Sequence, residues 1–203
     1  MNRRVLRRFV MLLALLTVGA FVFWDVLEGF VSRAPGDFNT EIGSQRLEDG
    51  LYDEAIENFD KALEEAPNHR GALMGRALVF IQTERYEDAI AELDSLIRFL
   101  EETLEPDDRT GRGVLAAAYA NRGIVYDRLA QYEKALENYV QALNTDGETV
   151  EGPGVIHKIL YDSEKVSSVR DRAIYLHEQL QLPEEERVLR IPELDAKQRM
   201  YKP

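Results

Sequence analysis

The chain has 203 residues, 45% of them apolar and 31% charged, which is globular composition at a length suited to one domain with an appendage at either end. It contains no cysteine, and this excludes disulfides, thiolate zinc sites, cysteine nucleophiles and a lipid-modified cysteine anchor. Net charge is −12, but Arg3, Arg4, Arg7 and Arg8 cluster at the N-terminus; beyond position 28 there remain 21 basic and 35 acidic residues, so the body is near −14 and repels nucleic acid and anionic lipid.

Residues 9–24, FVMLLALLTVGAFVFW, carry no charge and follow the basic run RRVLRR. As a helix they span roughly 24 Å, and Val26, Leu27 and snorkelling of Arg7 and Arg8 extend this toward the ~30 Å of a bilayer core. Trp24 stands where an interfacial aromatic belongs, and Asp25 and Glu28 mark the exit into water. A cleaved signal needs a small-x-small site, for which Val18-Gly19-Ala20 is a weak match, and the apolar run continues past it. Residues 1–28 are therefore expected to be a basic cluster and a retained signal anchor, followed by a linker at 29–35. The positive-inside rule places the N-terminus in the cytoplasm and the rest of the chain on the opposite side.

Next comes a repeat. "GLYDEAIENFDKAL" aligns without gaps on "ERYEDAIAELDSLI" at a period of 34, with Ala55 over Ala89. A third copy, "AQYEKALENYVQAL", aligns on Ala135 after 34 plus an insertion of 12 residues. Ala55, Phe59 and Ala62 advance by four and three, so they share one helix face. Upstream of each copy lies another helical stretch with a small residue mid-way, Gly43, Ala77 or Gly123, and Gly50 and Asn68 suit helix ends.

This pattern resembles the tetratricopeptide repeat: a helical pair with a small residue inside the first helix, then an aromatic, Ala, an aromatic or Leu, and Ala in the second. Residues 36–69, 70–103 and 116–149 fit it, the first closing on Pro67. The resemblance implies an all-α fold, a right-handed α-solenoid of antiparallel helix pairs, preceded by one transmembrane helix. Pairs of this kind cannot bury their apolar faces alone, and stacking makes the core continuous.

Within the insertion at 104–115, EPDDRTGRG reads as a polar loop or an extension past the preceding helix. It has neither the D-x-[DN]-x-[DN]-G spacing of a calcium loop nor the lysine of a phosphate loop. TDGETVEGPG then breaks the chain. VIHKILYDSEK and VSSVRDRAIYLHEQL, the latter with Val166, Val169, Ala173, Leu176 and Leu180 spaced 3-4-3-4, read as a degenerate capping pair over 150–182. Two heptads are short for a coiled coil. Pro183 stops that helix, and the tail 183–203 carries a possible short helix at 184–190 before lying loose or along the surface.

No catalytic constellation is legible. His69, His157 and His177 lack metal-ligand spacing, and the acidic residues alternate with basic ones on helix surfaces, as Glu57 does with Lys61. The reading is therefore no enzyme, no metal and no cofactor. By resemblance, the first helix of each pair lines a concave peptide-binding groove. Its candidates are Thr40, Ser44 and Leu47, then Met74, Leu78 and Ile81, then Ala120, Ile124 and Asp127. Methionine and large aliphatics suit a peptide with apolar anchors, while the chain's own tail or a second copy are alternative occupants. Some family members grip a peptide carboxylate through Lys and Asn. At the matching positions, Thr40, Ser44, Gly75, Ala117 and Asn121, only Asn121 keeps a suitable type.

The expected function is a protein–protein interaction adaptor or scaffold held in a bacterial inner membrane through residues 9–24, its repeat domain periplasmic, helping to organise an envelope complex. The alternatives are a soluble periplasmic scaffold after cleavage near Ala20, or a non-catalytic subunit of a membrane complex. The sequence names no oligomeric state.

Overall fold

The computed structural model describes residues 3–31, 33–150, 168–191 and 200–201. The described residues form helices and no strand: α1 (Arg3–Val31), α2 (Asp37–Glu48), α3 (Tyr52–Glu65), α4 (Arg70–Gln82), α5 (Tyr86–Thr103), α6 (Arg109–Arg128), α7 (Tyr132–Val150) and α8 (Val169–Leu180), then one 3₁₀ turn at Glu184–Glu186. VIHKILYDSEK, the first half of the expected capping pair, lies outside the described residues, as do His157 and Val166.

Helices pair as α2 with α3, α4 with α5, and α6 with α7. Successive pairs touch through α3·α4 and α5·α6, and the first helices also meet as α2·α4 and α4·α6, while α8 packs on α7. The second helices are amphipathic, and their small-and-aromatic face is the buried one. Ala55, Phe59, Ala62, Ala89, Leu93, Leu96, Ala135, Tyr139 and Ala142 are all fully buried. By contrast α4 and α6 are buried nearly all round, from Ala72 to Ile81 and from Gly111 to Asp127 with few interruptions. A helix buried on every side needs cover on both its faces.

The glycines explain how the pairs approach so closely. The Phe59 ring lies between α2 and α4: a Cβ at Gly43 would fall 2.7 Å from it, and one at Gly75 only 2.3 Å. Tyr139 stands in the same relation to Gly123, at 2.7 Å.

Each first helix ends in the same way. Gly50, Glu84 and Ala130 adopt left-handed backbone with φ of 74°, 57° and 57°. In each case the next amide reaches back over the turn: Leu51 to the Arg46 carbonyl, Arg85 to Phe80 and Gln131 to Tyr126, all at 2.8 Å. This is the Schellman arrangement, in which glycine avoids a cost of about 1–2 kcal/mol that an L side chain incurs. Ala130→Gly should accordingly raise stability by up to about 1 kcal/mol, since the relieved strain exceeds the roughly 0.5–1 kcal/mol of added chain entropy. A lower urea midpoint in that variant would contradict the strain.

Two segments differ from the sequence reading. The insertion is a loop only as far as Asp108. From Arg109 onward it is helix, so α6 gains turns at its N-terminus, while α5, at 18 residues against the 14 of α3, stops at Thr103 just before the insertion. Asp108 starts it by accepting the Gly111 N–H at 2.6 Å and pairing with Arg70 at the same distance. These bonds, the Gly111 amide foremost, hold the Asp108 carboxyl below the usual aspartate range. Of the expected break after the third repeat, the described part is helical except for one extended residue, Asp146, inside α7, whose carboxylate accepts the Thr149 N–H at 3.2 Å and restarts the helix. Over 184–190 the tail forms a 3₁₀ turn at Glu184–Glu186 rather than a helix through 190.

Candidate functional site on the first helices

Of the nine groove candidates, Ser44 is exposed and Thr40 half-buried, its hydroxyl 3.3 Å from His69 Nδ1. Leu47, Met74, Leu78 and Ile81 are buried, as are Ala120, Ile124 and Asp127, with Met74 only 2% and Ile124 0% exposed. A solenoid's first helices would leave such residues open if nothing lay across them. Here the far end of the chain does: Leu189, Met200 and Tyr201 pack against the core.

The contact centres on Asn121 in α6, itself fully buried. Its Nδ2 donates to the Tyr201 carbonyl at 2.8 Å, and its Oδ1 accepts the Tyr201 N–H, also at 2.8 Å. One side-chain amide thus answers both backbone groups of one residue, as a neighbouring strand does in a β-ladder. Nδ2 also lies 3.4 Å from the Met74 sulfur on α4, so the site spans two repeats. The Tyr201 hydroxyl accepts the amide of Val169 at 3.2 Å, which occupies one of the donors a helix start leaves open. Burial, with Asp171 nearby, pushes the Tyr201 phenol above its ordinary pKa, against the opposing effect of the Val169 N–H.

Beside this contact lies a stronger one. Arg172 on α8 forms a bidentate pair with Asp127, both bonds 2.7 Å, and its guanidinium also donates to the Leu189 carbonyl at 3.0 Å. Asp127 further accepts the Tyr139 hydroxyl at 3.1 Å. Arg172 and Asp127 are both buried, so Asp127, read from sequence as groove-lining, is engaged within the chain. The sequence carried no signal for Arg172 as its partner.

Arg76 and Arg122, the cations nearest the groove positions, are engaged with second helices. Arg76 bonds Asp60 on α3 and Glu92 on α5, the latter at 2.6 Å, and Arg122 bonds Asp94 on α5 and, at 2.7 Å, Asn138 on α7. They tie neighbouring second helices together. A polar cleft of about 450 Å³ among α5, α6 and α7 is lined by Arg122 with its partners Asp94 and Asn138, and by Tyr119 with Glu101.

The Tyr119 pair predicts a pH effect. Burial, and then the bond to Glu101, push its phenol up to about 12. The unfolded chain therefore ionises first, and stability should fall as pH rises from about 10 to 12, less steeply in Tyr119→Phe. Denaturation midpoints across that window check this; equal slopes in the two proteins would contradict it.

His69 is structural: its ring accepts the Ala72 N–H at 3.1 Å, capping α4, and lies 2.9 Å from Asp37. Among the described residues no cluster of three or more histidine or acidic side chains is placed to hold a metal.

A stack of helix pairs in which successive pairs touch and the first helices also meet defines an α-solenoid. More specifically, residues 40–103 and residues 116–149 each match a family model of the tetratricopeptide repeat, and the chain carries tetratricopeptide repeats over those spans. Among solved structures it is similar to the first tetratricopeptide domain of Spaghetti (RPAP3) bound to an HSP90 peptide, SRMEEVD. The TM-score is 0.52 at 17% identity, covering 73% of this chain and 94% of that one. At that identity the likeness shows the fold. No curated protein sequence matches the chain.

Proposed function

We propose that the protein is a membrane-anchored adaptor that holds another protein on the concave side of its repeats, organising a bacterial envelope complex. The observation that carries this reading is Asn121, which meets both backbone groups of one residue and so is suited to gripping a peptide by its main chain. The solved relative, described as bound to an HSP90 peptide, supports peptide holding as a use of this fold. The clamp of lysines that the sequence lacks makes a terminal carboxylate the less suitable ligand.

The anchor rests on α1. Leu6–Asp25 is long and apolar enough to cross a membrane by length and composition, with large apolar side chains exposed along it from Phe9 to Trp24. With the arginines cytoplasmic, the repeats project into the periplasm.

Two experiments test the two halves. A photo-crosslinking residue at exposed Ser44 should capture one discrete protein in cells; a product consisting only of the chain itself would remove the adaptor reading. The absence of cysteine makes single-cysteine labelling clean, and Ser44→Cys should react with an impermeant maleimide once the outer membrane is opened. Reaction only after lysis would contradict the orientation.

A further inference from the structure

The chain's end is held across the first helices in two unequal ways. α8 is locked by a buried bidentate ion pair, with Arg172 also fixing the Leu189 carbonyl. Met200 and Tyr201 have a lighter hold: they are only half-buried, and Tyr201 is held through neutral bonds, two with Asn121 and one from the Val169 amide. Yet beneath them lies the part of the face best suited to a peptide, a buried side-chain amide aimed outward and a methionine beside it. At the other end of the same row of first helices, Ser44 on α2 is exposed.

We infer that Met200–Tyr201 is a displaceable intramolecular ligand, and that the partner presents the same chemistry. That chemistry is an extended segment with one residue's N–H and C=O free for Asn121, an aromatic side chain on that residue and a large apolar one before it. This inference deepens the adaptor reading and rests on it. An intramolecular segment acts at an effective concentration on the order of millimolar, so a partner of micromolar intrinsic affinity is held off until it is abundant or until the tail is withdrawn. Tail docking therefore sets the threshold for partner binding, and Asn121 serves both.

The test uses the chain's own sequence as probe, so that it needs no partner. A fluorescent peptide of residues 195–203, DAKQRMYKP, is titrated against the full chain in detergent and against a chain ending at Arg199. The shortened chain should bind it at least about tenfold more tightly, as expected when a millimolar internal competitor is removed. Binding should be lost when the tyrosine of the peptide is replaced by alanine, a change that leaves the protein untouched, and when the shortened chain carries Asn121→Leu with its helical circular dichroism intact. Equal binding to both chains, or no binding to a folded shortened chain, would overturn the inference. Capture of a partner from Ser44 is a separate readout: either can fail while the other succeeds.

Discussion

Arg172→Met should destabilise the repeat domain by about 3–5 kcal/mol, because it leaves the Asp127 carboxylate buried without its cation. Both side chains are nearly solvent-free, at 4% and 6% exposure, so water cannot take the place of the guanidinium. Among the described residues, the Tyr139 hydroxyl then supplies one neutral bond where Asp127 accepted three before. The companion variant separates the pair's worth from the penalty of orphaning a charge. Asp127→Leu combined with Arg172→Met should recover most of the loss, since replacing a buried ion pair by apolar side chains is often near neutral. Chemical denaturation of the three proteins decides the matter. A double variant as unstable as the single one would mean that the pair itself, through its grip on Leu189, holds α8 in place.

Gly75→Val is the second large effect. Alanine alone at this position places a Cβ 2.3 Å from the Phe59 ring, which is fully buried between α2 and α4 and has Gly43 on its other side. Helix propensity favours alanine over glycine by about 1 kcal/mol, but overpacking costs about 1–3 kcal/mol and valine adds two further methyl groups. Steric conflict therefore wins: Gly75→Ala should be mildly destabilised and Gly75→Val by about 3 kcal/mol or more. Phe59→Leu should restore part of the loss in the alanine variant while being destabilising by itself, because it vacates the space the new methyl group enters. A rise in melting temperature for Gly75→Ala would contradict this packing.

These two sites also mark where sequence reading stops. The buried face of each second helix was legible because Ala55, Phe59 and Ala62 declare it within two turns, and a period of 34 repeats the message. Gly75 was legible only as a position in a binding pattern. Its packing role comes from a ring one repeat away, which no helical periodicity encodes. Met74, Leu78 and Ile81 were readable as apolar residues on a first helix, and their type alone could not say that they are buried in the folded chain. Asn121 beside Met74 is bonded to Tyr201 across 80 positions, a separation no local pattern encodes. Arg172 and Asp127, 45 positions apart, were likewise two unrelated charges in the sequence. Asn121 could be singled out beforehand by its residue type, whereas its partner could not. The helical start at Arg109 was hidden because EPDDRTGRG is rich in loop residues, while the Asp108 cap and the Arg70 bond that fix it come from neighbouring elements.

Asn121 grips a peptide backbone, here that of Tyr201, and amide hydrogen exchange at Tyr201 in the full chain measures that grip. Exchange should be slowed well below the rate of an unstructured tail, returning to that rate in Asn121→Ala while the amides of α6 and α7 stay protected. Exchange of the Tyr201 amide at the unstructured rate in the unaltered protein would contradict it.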